Sequence, residues 1–341
     1  MVDMPAVSVV VRTKDRPELL RLAIGSVLSQ TYRPIELVVV NDGGKDVAHL
    51  LTAMMSDTQD ISLNYIFHTH SLGRSQAANA GLLAVSSPFC LFLDDDDYVD
   101  EHHIAGLVDA HQKHFASTDE LGVVHCRART VYTNDQGEQK ILSLQGQSLA
   151  KNQLFYHNVM PILTVLIPTH VRELGVRFDD SIDLFEDWDF WLQVAQFCSF
   201  VFVDQTTCNY LIHIESSGVR EREKQHLAYQ TIYQKWLTKL TPSMLHEMLA
   251  NTHLWHDQHV ESLQANNAIE LSRIGGLHSF ALDTIAQKDH DIEHLTHLYK
   301  TVERELITLR HTYKTVHESL EAIKQRRLMY RLKRLYHWLF K

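Results

Sequence analysis

The sequence predicts an α/β fold, a Rossmann-like and mostly parallel sheet with helices on both faces, followed by an all-α tail that contains a coiled coil. Three observations predict it. Short β-branched runs alternate with helix-period segments through the first 100 residues; strand signals stop near residue 220; and apolar residues spaced alternately three and four apart run from Ile292 to Ile323.

The strands read as Val7–Val11, Ile35–Val40, Leu63–Phe67 and Phe89–Leu93. Each is a continuous apolar run, the signature of a strand buried on both faces. Between the first two, Asp15–Arg16–Pro17 announces a helix, with proline at its first turn. Leu19, Leu20, Ala23, Ile24, Val27 and Leu28 follow at helical spacing, and residues 74–85 form a second helix rich in Ala and Leu. Residues 121–134 read as a longer strand turned by Asn134–Asp135–Gln136–Gly137. Thr164–Ile167 and Phe200–Val203 complete the strands, and a helix is expected near Asp187. Alternating strands and helices imply a sheet covered on both sides.

Composition narrows the function classes. With 341 residues and 45% apolar residues, the chain suits a large α/β domain plus an appendage. The net charge of -10 gives no reason to expect a nucleic-acid partner. Cys90, Cys126, Cys198 and Cys208 form no C-x-x-C pair and match no zinc-site spacing, so they read as reduced, mostly buried thiols. No charged segment followed by a long apolar run opens the sequence, and no apolar stretch reaches the ~18 residues of a spanning helix. A cytoplasmic location is expected.

Ligands of parallel sheets bind beyond the carboxyl ends of the strands. Three polar segments fall there: Arg12–Asp15, Asn41–Gly44 and Asp94–Asp97. The last is the most informative. Four adjacent carboxylates repel one another, and a divalent cation with oxygen ligands relieves that repulsion while bridging to a diphosphate. The plainer reading is a solvated loop capping the helix that starts near Glu101; the preceding apolar strand and the two companion segments favour the metal.

Taken in order, Val7–Val11 with Thr13, Val38–Gly43, Gly73–Gly81 and Phe92–Asp97 resemble the family 2 inverting glycosyltransferases of GT-A fold, over about residues 5–215. The resemblance implies that Thr13 and Asp42 contact the nucleotide, Asp42 accepting from the base, and that Arg74 approaches the diphosphate. Asp94–Asp95–Asp96 overlie the D-x-D motif: Asp96 as ligand of Mg2+ or Mn2+, Asp94 or Asp95 helping to hold ribose or metal. The first loop departs from the family, reading Arg12–Thr13–Lys14–Asp15 where Pro-Thr-Tyr-Asn is common. No G-x-G-x-x-G follows the first strand and no P-loop is present.

Leu184–Trp191 is the second acidic cluster. Sugar transfer with inversion needs a base for the acceptor hydroxyl, and a carboxylate beside aromatic rings suits that task. The resemblance assigns the base to the Glu186–Asp187 pair, Asp187 first and Glu186 as the alternative. Asp189 reads instead as a carboxylate of the first helical turn, and Trp191 and Leu192 as core. His213 follows Asn209–Ile212, where the family places a histidine near the metal and diphosphate.

In the tail, His297–Val302 repeats as His311–Val316, two heptads on. The heptad predicts a homo-oligomer through a coiled coil; a helix packed on its own catalytic domain is the alternative. From Lys324 to Lys341 seven Lys/Arg and no Asp/Glu alternate with Leu, Tyr, Trp and Phe, the pattern of a helix on an anionic membrane surface, which would be the inner face of the plasma membrane; a solvated helix end or a calmodulin-like target is the alternative.

The sequence therefore predicts a GT-A domain at 1–220, a helical extension at 221–289, a coiled coil at 290–323 and a basic amphipathic helix at 324–341. The expected function is transfer of a sugar from a UDP-type nucleotide-sugar donor to a glycan or lipid-linked acceptor, serving cell-envelope polysaccharide synthesis. A nucleotidyltransferase gripping a triphosphate with Arg12, Lys14 and Arg16, or a non-catalytic sugar-nucleotide-binding scaffold, are the alternatives.

Overall fold

Seven residues without an exposed side chain, β1 (Val7–Thr13), form the spine of the molecule. The computed structural model describes residues 4–56, 58–133, 139–150, 152–182, 184–212, 219–252, 254–255 and separate positions between 300 and 334. β1 lies parallel to β2 (Ile35–Asp42) on one side and β4 (Phe89–Asp94) on the other, and β2 is parallel to β3 (Ile61–His68). The four strand runs expected from sequence are these four.

Helices cover both faces. α1 (Pro17–Leu28) starts at its proline and turns Leu20, Ala23, Ile24 and Val27 inward. α2 (Ala48–Met55) follows β2, and α3 (Arg74–Ala84) lies against β1 and β2. The contact of α3 is close: a Cβ on Gly81 would stand 2.2 Å from Val10 Cγ1, so only glycine lets this helix seat on β1.

Beyond β4 the sheet becomes mixed, so the parallel arrangement holds for its first half only. β8 (Val165–Pro168) runs antiparallel to β4, and β6 (Gly122–Thr133) antiparallel to β8. β9 (Ser199–Ile212) is parallel to β6; β5 (Tyr98–Val99) and β7 (Gln139–Gln145) add antiparallel edges. The order is β3-β2-β1-β4-β8-β6-β9-β5, with β7 on β6. Strand order reverses between β1 and β4, which makes their carboxyl ends a switch point where such sheets bind ligands.

α4 (His103–Phe115) and α5 (Glu186–Val194) cover the second half. Trp188, Phe190, Trp191 and Leu192 are fully buried, Trp191 and Leu192 as expected. The first compact unit runs to Trp255, past the expected boundary at 220. The reason is α6 (Val219–Leu237), whose Ile232 and Trp236 join the core beside Trp188. Trp236 Nε1 donates to Asp189 Oδ1 at 2.8 Å, and Lys235 Nζ reaches Asp189 Oδ2 at the same distance. Asp189 thus anchors α6 to α5.

The second unit spans His256–Lys341. Its described positions between 300 and 326 are helical. Of the heptad positions only Leu320 is described; the rest of the coiled-coil seam and most of the basic segment lie outside the described residues. Among the described residues no helix is long and apolar enough to cross a membrane.

Candidate active site

The register of the parallel strands brings the predicted residues together. Arg12 pairs with Asp94 across β1 and β4, Thr13 with Asn41 across β1 and β2, and Asp42 with His68 across β2 and β3. A cleft of about 210 Å³ opens at this rim, and Thr13, Asp42, Arg74 and Asp94 all line it with Arg12, Lys14, Arg16, Ser71, Gly73 and Ala77.

Asp42 organises one wall. Its Oδ1 accepts from His68 Nδ1 and the Leu72 amide, both at 2.9 Å; its Oδ2 accepts from Ser71 Oγ at 2.7 Å and the Gly73 amide at 2.9 Å. Burial works against its charge, but these donors outweigh it and hold the carboxyl below its usual range. Next to it Gly43 sits at φ 76°, where a Cβ would stand 2.3 Å from the Ser71 amide nitrogen. The loop before α3 is thereby fastened against the end of β2.

Of the acidic run, Asp94 lines the cleft, and Asp95 and Asp97 are fully buried. Arg12 Nε and Nη2 bind Asp94 Oδ1 at 2.9 and 2.5 Å. Thr13 Oγ1 donates to Asp95 Oδ2 at 2.7 Å, while Arg16 pairs with Asp95 and reaches Asp96 Oδ2 at 2.8 Å. Burial pushes the Asp95 carboxyl up to about 6 in spite of Thr13 and Arg16. Asp97 is fully buried; its Oδ1 accepts the Leu211 amide at 2.8 Å and its Oδ2 has no hydrogen-bond partner. Burial and the charge of Asp94 push its carboxyl well above the usual range.

One carboxylate oxygen each from Asp94, Asp96 and Asp97 lie within 4.8 Å of one another. An all-oxygen set with an unpartnered buried oxygen fits Mg2+ or Mn2+. Asp97 was not singled out in the sequence, where nothing separates it from its three neighbours. His213 lies outside the described residues.

Glu186 and Asp187 open α5 and diverge. Phe185, just before them, adopts φ 64°, a conformation a bulky side chain rarely takes and one that costs of order 1–3 kcal/mol. Glu186 turns inward: its Oε1 accepts from Arg12 Nη1 and Arg74 Nε, both at 3.2 Å. Asp187 stays partly exposed, its Oδ2 accepting from Asn158 Nδ2 at 3.0 Å and its Oδ1 from the Trp188 amide at 2.7 Å. Burial, then the charge of Glu186, push the Asp187 carboxyl up to about 7. Asn158, held in turn by the Met160 amide at 2.9 Å, gave no sequence signal. Beside the pair stand Phe185, Trp188, Tyr229 and Tyr233, with ring centroids 5.1–6.3 Å apart along the chain of contacts.

Comparison with known proteins gives a consistent result. Residues 8–166 match glycosyl transferase family 2. An uncharacterized glycosyltransferase of Rickettsia typhi is 24% identical over 262 residues, 73% of this chain and 77% of its own length. One from a Nostoc species is 31% identical over 119 residues, 35% of each chain. Among solved structures, the mannosyltransferase PcManGT from Pyrobaculum calidifontis, in complex with GDP-Man and Mn2+, superposes with a TM-score of 0.53 at 15% identity, covering 90% of this chain and 88% of that one. S. aureus TarS 1-349 in complex with UDP-GlcNAc gives 0.51 at 18% identity, covering 93% and 92%. At these identities the likeness shows the fold, which is GT-A.

Proposed function

The chain carries a domain of glycosyl transferase family 2 on a GT-A fold, and on that premise we propose that it moves a sugar from a UDP-type donor to a glycan or lipid-linked hydroxyl with inversion at the anomeric carbon. The observation that carries this reading is the division of labour between two adjacent carboxylates. Glu186 is paired with two arginines, whereas Asp187 is partly exposed, oriented by Asn158, and its carboxyl is pushed up by burial and by the charge of Glu186. A base titrating near the working pH combines the ionised form with useful basicity.

In this reading Thr13 and Asp42 shape the nucleotide side of the cleft, buried Asp95 holds Thr13 in place, and Arg74 faces the diphosphate. Asp94, Asp96 and Asp97 would hold the divalent ion, His213 being a further candidate. The chemistry a bound Mg2+ or Mn2+ supplies is positive charge against the departing diphosphate. Arg12 keeps Asp94 and Glu186 in place, and Asp187 takes the acceptor proton as the new glycosidic bond forms. The donors carried by the two structural neighbours, UDP-GlcNAc and GDP-Man, support a nucleotide-sugar ligand for this cleft.

Nucleotidyl transfer loses support from the same geometry. Arg12 and Arg16, which would grip a triphosphate, are engaged by Asp94, Asp95 and Asp96. The test is two incubations with Mn2+: a panel of nucleotide sugars with a mixture of lipid-linked and free glycan acceptors, and nucleoside triphosphates with sugar 1-phosphates. Nucleoside diphosphate is the expected product; pyrophosphate would refute sugar transfer, and neither product with any donor would leave only the scaffold reading.

A further inference from the structure

A second group of ligating side chains lies inside the other half of the sheet. His103 opens α4, Cys126 lies on β6 and Cys208 on β9; all three are fully buried. One ligating atom from each lies within 4.8 Å of the other two. The paired strands β6 and β9 lose regular register on either side of Arg127, immediately beyond Cys126. Such an irregularity re-aims a side chain, and here the two sulfurs face each other at 4.0 Å.

That separation discriminates. A disulfide requires about 2.0 Å between sulfurs. Two thiolates on one tetrahedral zinc, each about 2.3 Å from the metal, stand about 3.8 Å apart. The observed spacing excludes a disulfide and accommodates two ligands of one ion.

The histidine is prepared in the same sense. Its Nδ1 lies 2.7 Å from Thr207 Oγ1, and its Nε2 is buried without a hydrogen-bond partner. A metal-bound histidine shows this arrangement: one ring nitrogen donates to an oxygen, fixing the tautomer that leaves a lone pair on the other. Thr207 Oγ1 also approaches Cys126 Sγ at 3.9 Å. Both thiols donate to the Arg127 carbonyl, at 3.6 and 3.3 Å, the bonds that metal binding would replace.

We propose that His103, Cys126 and Cys208 bind one thiophilic d10 metal ion, Zn2+ or Cu+, at a site separate from the carboxylate rim. Two thiolates and an imidazole select such ions over Mg2+ or Mn2+. Binding releases the two thiol protons and leaves the sulfur electron pairs on the ion, with no change of oxidation state. Three protein ligands suffice for Cu+, and a water would complete the tetrahedral set of Zn2+; the role is structural. Val99 pairs with Cys208, and the Asp100 amide donates to the Thr207 carbonyl at 2.8 Å, so the ion braces the strand that leaves the acidic run.

The experiment uses the full chain. After dialysis against a chelator that removes ions held by carboxylates, metal analysis should find one zinc or copper per chain. Co2+ added to chain stripped under reducing, denaturing conditions and refolded should give a thiolate-to-cobalt charge-transfer band, bleached by one equivalent of Zn2+; competition with a chromogenic Cu+ chelator separates the copper arm. The band should be absent in Cys126→Ser/Cys208→Ser and retained in Cys198→Ser. Thr207→Val should keep the band but weaken affinity about 10–100-fold, the usual effect of losing the oxygen behind a ligating histidine. A wild-type chain with no bound metal, no cobalt band and no Cu+ uptake overturns the proposal, as does a Cys126–Cys208 disulfide in the chain as purified. If the double variant does not fold, the wild-type spectrum decides, since only sulfur ligation gives that band.

Discussion

Arg12 Nη1 lies 3.2 Å from Glu186 Oε1, across 174 residues of chain. The same guanidinium binds Asp94, so one buried side chain joins the end of β1, the acidic run and the start of α5. Burial opposes its charge, but Asp94 and Glu186 outweigh that and hold Arg12 above the usual arginine range. Arg12→Met should leave two carboxylates without their partner and cost about 3–5 kcal/mol in urea unfolding, the range for breaking a buried pair. Arg12→Lys should recover part of the stability, because one ammonium cannot reproduce the fork that spans two carboxylates. Equal stability in all three proteins would mean the pairing is incidental.

The carboxylate rim predicts a metal response. With Mn2+ and UDP together the wild-type melting temperature should rise, by about 2.7 kcal/mol of stabilisation at ligand concentrations 100 times Kd. Asp96→Asn should abolish the Mn2+-dependent part. Asp97→Asn should weaken it as well, since Asp97 Oδ2 is the buried oxygen without a partner. A full Mn2+ shift in both variants would place the ion elsewhere.

Asp42 accepts four hydrogen bonds from residues 68–73. Asp42→Asn replaces one oxygen by an NH2 that faces donors, so two of the four contacts are lost. The expected result is faster proteolysis at residues 68–73 and a several-fold rise in KM for the donor. Because its carboxyl is held below the usual range, the stability Asp42 contributes is present above about pH 4 and is lost as pH falls further. A variant with unchanged proteolysis and KM would show that the loop is held by other contacts.

Much of the fold could be read in the sequence because β1, β2 and β4 are buried on both faces, which leaves long apolar runs in the chain. β7 was missed for the opposite reason: Ile141, Leu142 and Leu144 are exposed on an edge strand, so no burial pattern marks it. Within the site, Thr13, Asp42 and Asp94 end β1, β2 and β4, and the family resemblance marks them together with Arg74, the first residue of α3. Asp97 and Asn158 are not marked, since their roles depend on the Leu211 amide and on Asp187, partners that only the folded chain supplies. The His103–Cys126–Cys208 group shows the limit of spacing rules: Cys126 and Cys208 are 82 residues apart, and the irregular pairing of β6 with β9 makes them neighbours.

The tail is tested by truncation. Deleting residues 324–341 should release the chain from vesicles of anionic lipid, each basic residue near such a surface being worth about 1 kcal/mol. Deleting 290–341 should also reduce the mass seen in sedimentation to that of one chain. Vesicle binding undiminished by the first deletion would refute the surface helix, and an unchanged mass after the second would refute assembly through the heptad.

Asp187 ties stability and activity to pH in opposite directions. Burial, then the charge of Glu186, push its carboxyl up to about 7 in the folded chain, against about 3.9 when unfolded. Between those values the folded state keeps a proton that the unfolded state has lost. The stability from this group is therefore full below about pH 4 and falls as pH rises through about 7. Transfer needs the ionised form, so the rate should rise through the same pH. Asp187→Asn should lower transfer roughly 10²–10⁴-fold, the usual contribution of a general base, while melting at a higher temperature than wild type at pH 8. Glu186→Gln separates the two carboxylates. It removes the charge that helps to raise Asp187, so the limb of the rate profile should move to lower pH. A limb that stays in place in Glu186→Gln, or an Asp187→Asn variant that keeps its activity, would assign the proton transfer to another group.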